Sequence, residues 1–243
     1  MKNTPFIAVT SQPVPYHADT TAIFNTLCQQ NSNSLLLDSA EIGSKNSLQS
    51  LILINAAVKI TCLGNQVTFR ALNANGKQVL NEIHPVLSQL GTVSAVNFDN
   101  EFSVQFAPLD NQLDEDSKLQ AATIFDGLRV ISNHYQHSST PVFLGGLFAY
   151  DLVANFIPMQ GVELKDDGIN CPDYSFYLAE NLITIDHQSQ QATLKSFCFS
   201  QEEQVEVAKT ALSIAQKLKN IDGVLSIKAA SDEVSTNFED PEF

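Results

Sequence analysis

The stretch Leu35-Leu36-Leu37-Asp38-Ser39-Ala40-Glu41-Ile42-Gly43-Ser44-Lys45-Asn46-Ser47-Leu48-Gln49-Ser50 decides how this chain is read. Its three consecutive leucines are the pattern of a short, fully buried strand. That strand delivers Asp38 and Ser39 at its end, where the chain turns polar. A carboxylate and a hydroxyl at the mouth of an apolar strand can hold the ammonium group of a ligand, since both oxygens accept hydrogen bonds. The same residues also make a strand followed by a capped turn, because Asp and Ser bond readily to their own backbone. Taken alone, the segment favours the turn.

Upstream, residues 1–17 contain Pro5, Pro13 and Pro15 and read as an extended surface run. Residues 19–29 read as a helix with Ile23, Phe24, Leu27 and Cys28 on one face and Asp19 or Thr20 as its cap. Downstream, residues 51–63 form a strand and residues 66–72 a second, joined by the hairpin signal Gly64-Asn65. Residues 73–76 read as a loop and 77–90 as a helix, with Pro85 predicting a kink or a break. Residues 93–107 are a strand region with Phe98, Phe102, Val104 and Phe106, and residues 110–116 are acidic and exposed.

Residues 119–135 give the clearest helical period, with Ile124, Phe125, Leu128 and Ile131 facing inward. Residues 142–150 are apolar, and Gly145-Gly146 within them predicts close backbone approach or a bulge. Strands follow at 174–186 and 192–199, joined by a turn at 187–191. Ser200-Gln201-Glu202-Glu203 matches a capping box, which predicts a helix from Ser200 to about Leu218 with Val205, Ala208, Leu212 and Ala215 as its inner stripe. After Gly223 the chain is short, acidic and irregular. Strands paired by short turns, with helices inserted between hairpins, argue for an antiparallel α+β fold.

Composition narrows the function classes. The chain has 243 residues, enough for one large domain or two small ones. Hydrophobic residues are 44% and charged residues 16%, so a sizeable core is available. A formal net charge of -14 repels nucleic acid phosphates and anionic lipid, which argues against both as partners. It also suggests that an anionic substrate binds elsewhere. The four cysteines, Cys28, Cys62, Cys171 and Cys198, form no short-spaced pair and read as buried free thiols of a reducing compartment. The first residues lack the charged and apolar regions of a signal peptide. No stretch approaches the ~20 apolar residues of a membrane span.

Catalytic motifs are absent: no Gly-x-Ser-x-Gly elbow, no phosphate-binding Gly-x-x-x-x-Gly-Lys loop and no Cys-x-x-Cys pair occurs. His134 and His137 stand three apart and can reach one metal, but two polar residues in a frayed last helical turn explain them better. Asp114-Glu115-Asp116 reads as a solvated run before a helix N-terminus rather than a cation site. Gly145-Gly146 can cradle a phosphate, yet Phe143 and Phe148 beside it argue for packing. Residue types alone therefore show a soluble α+β domain and no catalytic constellation.

Several blocks together carry a resemblance. They are the Leu35 stretch; Val58-Lys59-Ile60-Thr61-Cys62-Leu63-Gly64 with Ala71-Leu72-Asn73-Ala74-Asn75-Gly76; residues 109–116 before Ile124-Phe125-Asp126; Gly145-Gly146-Leu147-Phe148-Ala149-Tyr150-Asp151-Leu152-Val153; and Cys171-Pro172-Asp173-Tyr174-Ser175-Phe176-Tyr177-Leu178-Ala179-Glu180 with Ile185-Asp186-His187-Gln188. In this order they resemble anthranilate synthase component I, the chorismate-using large subunit. Asp38 stands where that family usually has Glu, and Gln49 where its enteric members often carry Lys.

The resemblance implies an α+β fold of packed antiparallel, sandwich-like sheets flanked by helices. It implies that residues 1–230 are the N-terminal regulatory domain and that 231–243 are an acidic linker toward a C-terminal catalytic domain outside this chain. By the same resemblance, Leu37, Asp38, Ser39 and Ala40 line a regulatory L-tryptophan site, and no catalytic or metal-binding residue falls in this stretch. Gly145 and Gly146 are then structural, and Asp151 a helix cap. The whole enzyme would be cytoplasmic and would convert chorismate and ammonia to anthranilate and pyruvate. Its Mg2+ would be held in the C-terminal half, and its ammonia would come from a glutamine amidotransferase subunit, component II. The alternatives are a standalone ligand-binding or interaction domain of the same fold, or the corresponding half of aminodeoxychorismate synthase.

Overall fold

The computed structural model describes residues 5–29, 31–38, 48–97, 100–108, 114–136, 138, 140–156 and 171–221. Two long strands dominate it, β3 (Gln49–Leu63) and β8 (Tyr174–Asp186), paired antiparallel along most of their length. Both are rich in Ile, Leu, Val, Tyr and Phe, the residue types that fill a pleated, buried surface. Their register shifts between Leu53 and Val58, so the ribbon carries a bulge at its middle.

Each long strand takes two different outer partners, one on either side of that bulge. The first half of β3 pairs with β2 (Leu35–Asp38), and its second half pairs with β4 (Gln66–Ala71). The first half of β8 pairs with β7 (Leu144–Phe148), and its second half with β9 (Gln191–Cys198). Adding β1 (Ala8–Val14) on β9, and β6 (Glu101–Gln105) with β5 (Thr92–Asn97) beyond β4, gives a curled sheet of nine strands. The expected packed antiparallel sheets are thus two halves of one sheet, sharing the β3–β8 ribbon. The α+β class holds.

Two apolar clusters match the two halves. One gathers Ile60, Phe69, Phe102 and Phe199 with α2 (Ala74–Leu87) and α4 (Asp126–His134). The other gathers Ile52, Ile183 and Leu194 with α1 (Thr20–Cys28) and α5 (Gln204–Lys219). The α1 start is capped as expected: the Asp19 carboxylate accepts from the Ala22 amide at 2.9 Å. Asp19→Ala should lower stability by about 1 kcal/mol, the usual worth of a capping side chain, measured as a shift in the urea midpoint.

Several expectations change on the backbone. Residues 8–14, within the run expected to be extended, are an edge strand. Pro13 is tolerated there, opposite Thr193, because an edge leaves one row of amides without a ladder partner. The Leu35 strand is not fully buried. It pairs only with β3, and Leu37 is 42% exposed. Residues 73–76 are the start of α2 rather than a loop: Asn73 caps it, accepting from the Gly76 amide at 2.8 Å. The helix runs through Pro85 without a break.

The long helix expected over 119–135 is two helices, α3 (Glu115–Gln120) and α4, with Ala121 extended between them. The break is made by Asp126, whose carboxylate reaches back to the Thr123 amide at 2.7 Å while the Asp126 amide donates to the Thr123 carbonyl. The helix expected from Ser200 begins at Gln204, because Ser200 closes a turn of its own with the Glu202 and Glu203 amides. Its buried face is Val207, Ala211, Ile214 and Leu218, not the stripe through Val205 and Leu212, which are 65% and 64% exposed. Cys28, Cys62 and Cys198 are buried as expected, but Cys171 is exposed. Asp151 lies inside a short 3-10 turn (Tyr150–Asn155) entered from Ala149 without a side-chain cap. Phe98, residues 109–113 and His137 lie outside the described residues, as does the expected linker 231–243.

Candidate functional site

The β2–β3 register builds the candidate site. Asp38, the last residue of β2, stands directly opposite Ser50 of β3, so the two side chains share one face. Ser50 in turn pairs with Ile185, and His187 follows two residues on, at the end of β8. The His187 amide donates to the Leu48 carbonyl at 3.0 Å, which fixes the imidazole beside Ser50. The opening turn of α1 supplies Thr20, and the segment joining β1 to α1 supplies Tyr16.

These five side chains form a continuous run of hydrogen bonds. The Thr20 hydroxyl donates to Asp38 Oδ2 at 3.1 Å, and the Ser50 hydroxyl donates to Asp38 Oδ1. Ser50 Oγ and His187 Nε2 are 2.8 Å apart, and Tyr16 Oη and His187 Nδ1 are 3.1 Å apart. Since the Ser50 proton goes to Asp38, Nε2 of the imidazole is the donor to Ser50 Oγ, and in the neutral ring Nδ1 is then the acceptor of the Tyr16 proton. With the neutral ring, every donor in the run points toward the carboxylate. Ser50 is buried, whereas Asp38 and Leu37 face the surface. The result is an anchored carboxylate at the end of an apolar strand. A carboxylate has about four lone-pair positions, so two hydroxyl donors leave room for an N–H donor from outside.

Of the expected pocket residues, Leu37 and Asp38 lie together here; Ser39 and Ala40 lie outside the described residues. Gln49 opens β3 opposite Asp186. Sequence reading missed Tyr16, Thr20, Ser50 and His187 as partners of Asp38. The signal was partly present: Ser50 closes the quoted stretch and His187 ends a matching block, but strand register is what brings them together.

Other candidates resolve into structure. His134 Nε2 pairs with Glu82 at 2.9 Å, and the Tyr135 hydroxyl donates to the same carboxylate oxygen at 3.0 Å, tying α4 to α2. Gly146 lies against β8, where an added Cβ would sit 2.2 Å from the Ser175 carbonyl oxygen. Burial pushes the Cys62 thiol up to about 12, with Asp173 acting in the same direction, so it is no thiolate nucleophile at neutral pH. No helix among the described residues is long and apolar enough to cross a membrane.

The sequence is shared with known proteins. The sequence profile of the chorismate binding enzyme family matches residues 80–240. Anthranilate synthase component 1 of Haemophilus influenzae is 85% identical over 238 residues, covering 98% of this chain and 46% of that protein. The component 1 proteins of Vibrio cholerae and Escherichia coli are 40% and 37% identical, over 100% and 81% of this chain and 47% and 37% of their own lengths. The chain spans about half the length of the curated relatives it matches. With two thirds of its length under the family profile, the chain belongs to the chorismate binding enzymes, and the relatives it resembles carry the name anthranilate synthase component 1.

Proposed function

We propose that this chain is the regulatory N-terminal half of an anthranilate synthase component 1, and that Leu37, Asp38, Ser39 and Ala40 contribute to an L-tryptophan site through which the pathway product restrains the enzyme. The observation that supports this best is the anchored Asp38 carboxylate at the end of β2, next in sequence to the half-exposed Leu37. Two hydroxyls hold the carboxylate in one orientation, which lowers the entropy lost when a ligand ammonium docks. The leucine strand offers apolar surface to an indole ring. Tryptophan is a zwitterion, so the Asp38 carboxylate would meet its ammonium end.

In this reading the complete protein converts chorismate and ammonia to anthranilate and pyruvate in tryptophan biosynthesis, in the cytoplasm. The catalytic residues belong to the remaining length of the relatives, and this stretch alone is inactive. The glutamine amidotransferase, component II, is the partner that supplies ammonia. Mg2+ is likewise assigned to that other half. Among the described residues, no group of three or more His, Cys, Asp or Glu side chains stands close enough to hold an ion.

Titration calorimetry of L-tryptophan into the chain tests the site. Saturable binding that falls by about tenfold or more in Asp38→Ala is the expected result, the scale of one charge-assisted contact. Binding that is unchanged in Asp38→Ala removes Asp38 from the site. No binding to the folded chain overturns the view that these residues hold the ligand on their own.

A further inference from the structure

A second polar site lies away from Asp38, at the middle of the β3–β8 ribbon. The register break places Asn55 opposite Asn181, and Glu180 precedes it on β8. The neighbouring β-strand side chains alternate in direction, so Glu180 leaves the sheet on the face opposite Asn181. There it enters a cavity of about 430 Å3 bounded by the starts of α2 and α5 and by the loop before β2. Volumes of this order hold small organic molecules.

Glu180 is only 6% exposed. Its Oε2 accepts from Asn73 Nδ2 at 2.9 Å and from Asn75 Nδ2 at 2.8 Å. Its other oxygen, Oε1, receives no hydrogen bond among the described residues, although the residue lines the cavity. The two amides are themselves locked. Asn73 Oδ1 caps α2, and Asn75 Oδ1 accepts from the Phe199 amide at 2.6 Å. The carboxyl group is therefore held rigidly with one acceptor aimed at empty space.

The charge of the cavity is one-sided. Glu203 and Glu206 line it with Glu180, and no Lys, Arg or His among the described residues does. Lys209 pairs with Glu206 but is not among the lining residues. Burial pushes the Glu180 carboxyl above its ordinary range, the two asparagine amides pull it back, and the Glu203 charge pushes it up again. An anionic ligand finds no counter-charge here. A bare metal ion finds no cluster of three ligating side chains among the described residues. Separated oxygen acceptors in a roomy cavity match a ligand that carries several N–H donors on a positive centre. Asn33 and Asn55 also line the cavity, with side-chain oxygens that accept no hydrogen bond among the described residues.

We propose that the cavity around Glu180 binds a small organic ammonium ion, with Glu180 Oε1 as its deep acceptor and Glu203 as its rim counter-charge. An R–NH3+ group donates three hydrogen bonds, and at this site it replaces the water lost from a buried carboxylate. This site is independent of the tryptophan reading.

Ethylammonium and 1,4-diaminobutane are the probes, titrated into the chain while the Phe199 amide and the Asn73 and Asn75 side-chain amides are followed by 15N-resolved NMR. Tetramethylammonium and potassium chloride at equal ionic strength serve as controls that carry charge without N–H donors. Saturable shifts with the two amines only are expected. Glu180→Gln should weaken them by about tenfold, because its oxygen still accepts both asparagine amides while its NH2 now faces the ligand. That variant keeps the local hydrogen bonds. It also removes a carboxyl whose folded value lies above its unfolded one. Wild-type stability therefore falls as pH rises through the ordinary glutamate range, whereas the variant is spared. Its Tm should match or exceed the wild type at pH 7 and converge with it in acid.

Should Glu180→Gln fail to fold, Glu203→Gln decides. Its side chain makes no hydrogen bond among the described residues, and its loss should weaken binding by about threefold. Equal shifts with tetramethylammonium or potassium, no shift with either amine, or full binding retained in the folded variants would each overturn the proposal.

Discussion

Gly146→Ala is expected to lower stability by about 3 kcal/mol or more, because the new methyl group has nowhere to go. Its Cβ would lie 2.2 Å from the Ser175 carbonyl oxygen and 2.6 Å from Phe176 Cα. Both are backbone atoms of β8, the strand that carries two half-sheets, so relief requires β7 to move away from it. Such a movement would break the Leu144–Phe148 ladder and uncover Tyr174 and Phe176, against which Phe148 packs at 5.8 and 4.8 Å between ring centres. Gly64→Ala is the matched control. Gly64 has φ +57° in the β3–β4 hairpin, but open space surrounds its Cβ position. There only the left-handed backbone is penalised, at about 1–2 kcal/mol. Urea unfolding of the two variants separates them. Equal losses would mean that β7 yields at little cost and that the contact with β8 is not what makes Gly146 necessary.

Phe69→Ala should cost about 3–5 kcal/mol, the range for deleting a ring from a closed core. Phe69 is fully buried on β4 and stacks on Phe102 of β6 with ring centres 5.1 Å apart. It also lies against α4, where its Cζ is 3.2 Å from the Cβ position of Gly127. The ring thus joins strand to strand and sheet to helix, and the void left by its removal has rigid walls on every side. A typical domain is stable by roughly 5–15 kcal/mol, so this one change should remove much of the margin and shift Tm downward by many degrees. Leu212→Ala on α5 provides the contrast. Its side chain is 64% exposed, so the change should move stability by no more than about 0.5 kcal/mol. A large loss at Leu212 would restore the inner stripe read from the sequence and displace the one through Val207, Ala211, Ile214 and Leu218.

That stripe shows where the sequence is ambiguous. On α5, Val205, Ala208, Leu212 and Ala215 keep helical spacing as well as Val207, Ala211, Ile214 and Leu218 do. A helix with apolar residues on two sides cannot announce which side meets β9. The break between α3 and α4 was more legible. Thr123-Ile124-Phe125-Asp126 has the reach-back spacing of a capping box, but the apolar period continuing through Ile124 and Leu128 hid it. The prolines of residues 1–17 pointed to an extended run but not to its pairing with β9, which Pro13 tolerates because an edge strand has amide positions that need no partner.

By itself the sequence determined the chain's strands and hairpins at their centres. Gly64-Asn65 turns β3 into β4, the 187–191 turn sends β8 back as β9, and Gly145-Gly146 marks a strand pressed against its neighbour. These are local signals, set by backbone sterics and by alternation within a few residues. The sequence also placed Asp38 at the end of β2, and its ordered blocks resembled the family. Only the tertiary structure decided what surrounds that carboxylate. Tyr16, Thr20, Ser50 and His187 come from four places in the chain and meet because β2, β8 and α1 all pack against the first half of β3. The same holds at Glu180, whose partners Asn73 and Asn75 lie more than a hundred residues away. Register across a sheet is fixed by the sum of all its pairings and by the bulge between Leu53 and Val58, and no single segment encodes that sum.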